Sequence, residues 1–226
     1  YQAFPRMKHT NLWRPDLANL TFYLMLFGVF GRVIGEPLHN IPSMGLLALA
    51  ASMSEIVAIG LFIVIIARTL RASGKPLETN DVYIAAAMAF FLVQAVYDLG
   101  LVYATMTAST GDALLNVVAT YQAALRDLQI HGFAMLMILG VGLRMFPAMF
   151  GFRQPSRGFA RGALVLLIGA VLGEAGSLIL MRQTGERVWA APLYLSVLVL
   201  AGTSIALTFH WGLLARPTER DRSTKF

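Results

Sequence analysis

The chain has 226 residues, of which 57% are hydrophobic and 13% charged, with a mean hydropathy of +0.66 and a formal charge of +6. A soluble domain carries about a quarter charged residues, so a chain this apolar takes the lipid bilayer as part of its solvent. Cysteine is absent, which excludes disulfides, thiolate metal sites and iron–sulfur clusters held by this chain.

Six apolar stretches recur, near residues 17–35, 44–70, 82–106, 125–150, 162–181 and 191–214. Each is close to the roughly 20 residues that cross a bilayer as a helix. Only helices and closed barrels satisfy the backbone in lipid, and these stretches are too long and too continuously apolar for barrel strands. The expected fold is all-α: one polytopic transmembrane bundle of about six helices over residues 1–226. The first stretch is already a full span rather than a cleavable signal peptide. Tyr1 in place of Met points to a processed, trimmed or partial chain.

The breaks between spans follow in order. Gly35-Glu36-Pro37 and Ile41-Pro42 end the first helix and start the second. Ala72-Ser73-Gly74-Lys75-Pro76 makes the next loop, and Thr79-Asn80-Asp81 reads as the cap of the third helix. The moderately apolar segment 112–124 is either an interfacial helix or an extension of the fourth span. Gln154-Pro155-Ser156-Arg157-Gly158 separates the fourth and fifth.

One set of helix ends collects Arg6, Lys8, Arg14, Arg68, Arg71, Lys75, Arg153, Arg157, Arg161, Arg216, Arg220, Arg222 and Lys225. The other holds Arg32, Arg126, Arg182 and Arg187, mixed with Glu36, Asp112, Asp127 and Glu186. Basic residues favour the cytoplasmic side, so both termini are expected there. The positive charge therefore belongs to loops beside spans, and nucleic acid is not an expected partner.

Ionisable groups at membrane depth cost at least about 2.5–3.5 kcal/mol each, which makes them functional candidates. They are Glu55, Asp98, His131, Glu174 and His210, with Arg32 at the end of the first helix. At about 1.5 Å per residue, Asp98 and Glu174 lie about 12 Å below the outer end, His131 about 9 Å, and Glu55 near the midplane. Arg32, Arg126 and Arg182 rim the same side, whereas the inner half is apolar apart from His210 and Arg144. These groups are expected to converge on one internal site in the outer half, beside Tyr97 and Tyr103. Asp127 and His131 are four apart, so the carboxylate faces the imidazole; Gln94 and Asp98 share a face in the same way.

A structural reading stands beside the functional one. Carboxylates facing arginines can be ion pairs that hold helices together. His210 next to Trp211 reads as an interfacial residue beside an aromatic anchor. The methionines fill apolar gaps, and Gly169 to Gly173 fits a small-xxx-small packing pattern.

Among cofactors, two histidines on one haem iron need similar depth, which His131 and His210 lack. His39 reaches His131 only if its loop folds inward. A His–Met pair with Met53, Met106 or Met181, or a ligand from another subunit, keeps haem b open. A copper or zinc cluster of three histidines on this chain alone is not expected. A quinone headgroup needs a hydrogen-bonding group and a proton exchanger, which His131 with Asp127, Asp98 or Glu174 supplies; the same groups suit a proton path from the outer surface.

The stretch His131-Gly132-Phe133-Ala134-Met135-Leu136-Met137-Ile138-Leu139-Gly140-Val141-Gly142-Leu143-Arg144-Met145-Phe146-Pro147, followed by Gly151-Phe152-Arg153-Gln154-Pro155-Ser156-Arg157, resembles the histidine-led helix of NnrS-like membrane proteins. That family is haem- and copper-associated and polytopic. The resemblance runs from about Leu125 to Arg216. It implies His131 as a haem or metal ligand, and Arg144 as a residue supporting the fold or a haem propionate. The family carries about twice as many spans, so the chain corresponds to its C-terminal half or a half-length relative, and its loop after Arg144 lacks the histidine that often follows there.

The expectation that results is a subunit for electron transfer in a bacterial inner membrane, binding haem or quinone. Its candidate reactive groups are Asp98, Glu174 and Glu55, its cofactor-binding groups His131, Asp127, Arg32 and Arg144, and its metal ligand His131. Its partners are the bilayer and further membrane or periplasmic electron-transfer subunits. The alternative is a non-catalytic scaffold whose buried charges hold a larger complex together. A proton-coupled transporter finds no inverted repeat and no broken-helix pair in the sequence.

Overall fold

A computed structural model describes residues 5, 10–151 and 154–211. The sequence positions Arg6, Lys8, Arg153, Arg216, Arg220, Arg222 and Lys225, and the last residues of the expected sixth span, lie outside them. The described residues form helices and turns, with no strand among them. These are α1 (Pro15–Gly35), α2 (Pro42–Ala72), α3 (Thr79–Thr107), α4 (Gly111–Asp127), a π-helical stretch (Leu128–Met135), α5 (Leu136–Phe150), α6 (Arg157–Thr184), a 3-10 turn (Arg187–Trp189) and α7 (Ala190–His210).

Among the described residues, six helices are long and apolar enough to cross a membrane, because α4, the π stretch and α5 run on as one. Large apolar side chains stand exposed along them, among them Phe30, Val33, Val165, Leu195 and Leu198. Water would penalise each of these, whereas hydrocarbon accepts them. The chain is an all-α, multi-pass membrane protein.

Segment 112–124 is thus the beginning of the fourth helix. That span, Gly111–Pro147, has 37 residues. At 1.5 Å per residue it is about 55 Å long, against a hydrocarbon core of about 30 Å. It therefore tilts or stands partly clear of the hydrocarbon.

Two compact units share the chain: Tyr1–Pro76 with Phe90–Leu125, and Leu77–Ala89 with Arg126–Phe226. In the first, α1 and α2 form an antiparallel hairpin in close contact. Gly28, Gly31 and Gly35 are buried against Glu55, Ala51 and Ala48 of α2. A Cβ on Gly35 would sit 2.7 Å from the Met44 carbonyl oxygen and 2.8 Å from the Ala48 nitrogen. Small residues let two backbones approach in this way, and Ser54 Oγ adds a hydrogen bond to the Leu24 carbonyl at 2.9 Å.

In the second unit, Ser156 caps α6 by accepting from the Phe159 N–H at 3.3 Å, and Gly185 ends it in the left-handed region at φ 71°. The fully buried Tyr83 of α3 donates to the Ala160 carbonyl at 2.7 Å. At the start of α3 the Asp81 carboxylate accepts from the Glu78 N–H at 2.8 Å, so the acid of Thr79-Asn80-Asp81 reaches back to cap the helix. Of the Gly169 and Gly173 pair, only Gly173 packs closely, against Ser196 of α7; Gly169 faces open space.

Candidate functional site

The expected single constellation divides into two clusters, each inside one unit. The first to describe is Asp127, His131 and Glu174, where one ligand atom from each lies within 4.8 Å of the others. Asp127 ends α4, and His131 follows one turn later inside the π-helical stretch. Glu174 comes from the middle of α6 and is buried, with its side chain 9% exposed. His131 Nδ1 lies 2.8 Å from Glu174 Oε2. With Glu174 ionised, Nδ1 carries the ring proton and donates it, and Nε2 keeps its lone pair.

This is how a ligating histidine is usually held: one nitrogen is fixed by a carboxylate and the other is presented to the metal or substrate. The His131 side chain is 30% exposed. π-helical turns are rare and are frequent at functional sites, since they re-aim one side chain without breaking the helix. One nitrogen and two carboxylates also form a donor set for a divalent cation of borderline or hard character.

The second cluster surrounds Arg32. Its guanidinium contacts Glu36 at 2.6 Å, Glu55 at 3.0 Å and Asp98 at 2.5 Å. α1, α2 and α3 therefore each send charge to one point. Asp98 Oδ2 is buried and takes the ion pair without an aligned N–H. A cavity of about 240 Å³ opens beside it, lined also by His39, Met106 and Gln122. His39 Nδ1 lies 2.8 Å from the Glu36 carbonyl oxygen.

Arg144 pairs with Glu78 at 3.0 Å. It is thirteen residues beyond His131, about 19 Å along the helix. His210 stacks on Phe159, with ring centroids 4.1 Å apart and planes at 18°. Trp211 is buried and meets Phe146 edge-on. Met53 is half exposed, and Met106 lies under Gly45.

Sequence reasoning passed over Glu36 as an ion-pair partner of Arg32, although the four-residue spacing signals it. It also passed over Glu78 as the partner of Arg144, a contact across 66 residues that no local spacing shows. The π-helical register around His131 has no compositional signal. A comparison with protein-family models, with curated proteins and with solved structures finds no match.

Proposed function

We propose that this chain is a multi-pass subunit of an electron-transfer complex in a bacterial inner membrane, related in kind to NnrS-like proteins, with its termini on the cytoplasmic side. His131 is its cofactor-facing residue. The observation that carries this reading is the His131–Glu174 contact, set in a π-helical turn beside Asp127. Glu174 and Asp127 supply what a redox group in oil requires: a fixed tautomer on the ring and a carboxylate to take or give a proton.

Two groups suit the site. A haem b would take Nε2 as an axial ligand, with its other ligand from a partner subunit or a methionine. A quinol would donate a hydrogen bond from its hydroxyl to Nε2, which would take that proton as the quinol gives up its electrons to a further subunit, with Glu174 stabilising the resulting imidazolium. Further membrane or periplasmic subunits would carry the electrons onward.

The Arg32 cluster favours a second reading for its own members. Three carboxylates on one guanidinium have the form of a bolt between α1, α2 and α3, which is the work of a scaffold subunit. Quinol-driven reduction in membranes carrying His131→Ala, Asp98→Asn or Arg32→Gln separates the two. Loss of reduction in His131→Ala with normal chain abundance supports the redox site. Normal reduction in His131→Ala, with loss of chain abundance in Arg32→Gln, leaves the scaffold.

A further inference from the structure

Asp127 and Glu174 differ from the acids of the first unit in what balances them. Around Arg32 three carboxylates share one guanidinium, whereas among the described residues no lysine or arginine pairs with Asp127 or Glu174. The basic group beside them is His131, 2.8 Å from Glu174. With its ring neutral, two negative charges stand on membrane-spanning helices, where charge without a counter-ion is costly. The Asp127 carboxylate makes no capping bond to the π-helical stretch that it precedes, and its ligand oxygen lies within 4.8 Å of both partners. A divalent cation would cancel the two charges in one step.

The spacing suits such an ion. Two donors bound to one metal at about 2.1 Å each stand about 3.0 Å apart at right angles and about 3.4 Å apart in a tetrahedron. The 2.8 Å between His131 Nδ1 and Glu174 Oε2 needs only a small opening to reach that range. One imidazole nitrogen with two carboxylates is a donor set for zinc and its neighbours, and less so for magnesium, which keeps its waters. We infer that Asp127, His131 and Glu174 take up a divalent ion of the zinc class, and that the bound ion switches the redox site off. The second half rests on the function proposed above. Without the ion, Nδ1 carries the ring proton and Nε2 keeps the lone pair that receives the quinol's proton. Coordination uses the Nδ1 lone pair, so the ring proton moves to Nε2 and the imidazole stays neutral. Nε2 then donates instead of accepting, and a quinol hydroxyl or a haem iron finds no lone pair there. Both carboxylates are held by the ion, so neither replaces the ring as base.

The test has two arms. In the first, the full chain in detergent is stripped with a chelator and dialysed against Zn²⁺, and bound zinc is counted per chain. The wild type should hold one ion that equal Mg²⁺ does not displace. His131→Ala, Glu174→Gln and Asp127→Asn should each weaken binding at least about 10–100-fold, the range seen when only a ligand's supporting partner is lost. Asp127→Asn lies at a helix junction and keeps the test open if Glu174→Gln folds poorly. His39→Ala removes a histidine of the other unit and should bind as the wild type does. In the second arm, quinol-driven reduction in membranes is titrated with Zn²⁺, and it should fall over the concentrations at which the ion binds. The proposal is overturned if zinc does not bind, if Mg²⁺ competes equally, if His131→Ala binds like the wild type, or if zinc binds and the rate stays unchanged. Absence of quinol-driven reduction before any zinc is added contradicts the redox function, while the dialysis still decides the metal site.

Discussion

Glu174 Oε2 stands 2.8 Å from His131 Nδ1, joining the middle of α6 to a π-helical turn forty-three residues earlier. A buried carboxylate is costly in hydrocarbon, and a histidine is the one partner here that can share its charge with it. The pair therefore fixes the ring's orientation as well as stabilising the helix contact. Glu174→Gln keeps the shape and removes the charge. It should weaken binding of the proposed redox group about 10–100-fold, the usual effect of losing the group that orients a ligand, while the chain still folds. Cofactor content per chain after purification checks this.

Arg32 carries three ion pairs of the first unit, so its loss leaves Glu36, Glu55 and Asp98 facing one another. Arg32→Gln should destabilise the chain by about 3 kcal/mol, and adding Asp98→Asn should recover part of that. Unfolding in detergent across the single and double variants measures it. Equal stability of Arg32→Gln and the wild type would show that the cluster bears no load.

The α1–α2 approach makes a sharper contrast. Gly35→Ala brings a Cβ against backbone atoms of Met44 and Ala48 that have no room to retreat. Overpacking of this kind costs about 1–3 kcal/mol. Gly169→Ala, where nothing lies within 4 Å, should be neutral or raise stability by under about 1 kcal/mol. Thermal midpoints of the two variants should move apart.

Tyr83→Phe removes one hydroxyl from a fully buried site and with it the bond to the Ala160 carbonyl. The expected loss is about 1 kcal/mol. Hydrogen exchange at the start of α6 should quicken, with the rest of that helix unaffected.

Much of the architecture was legible because bilayer thickness dictates it. Six stretches of suitable length could only be helices, and six were found. Boundaries were less legible. α3 begins at Thr79 and the fourth helix at Gly111, where polar residues continue the helix beyond its apolar part. Depth counting named acids that lie in the two clusters, but not their partners. It grouped Asp98, Glu55, Glu174 and His131 at related levels, yet level along a helix says nothing of which face meets which neighbour. Asp127 and His131 were legible through their four-residue spacing, and Glu174 joins them only through tertiary packing. The π-helical turn was invisible for a different reason: it is a change of register, which leaves no mark in composition.

The central claim is that His131 holds a redox group, and the most direct measurement is the visible absorbance spectrum of the full chain purified from its native membrane. The account predicts a Soret band, or a bound quinone in the extract, that is retained in Asp98→Asn and lost in His131→Ala. A wild-type protein that carries neither, or a His131→Ala protein that keeps the same pigment and quinone content, would contradict it.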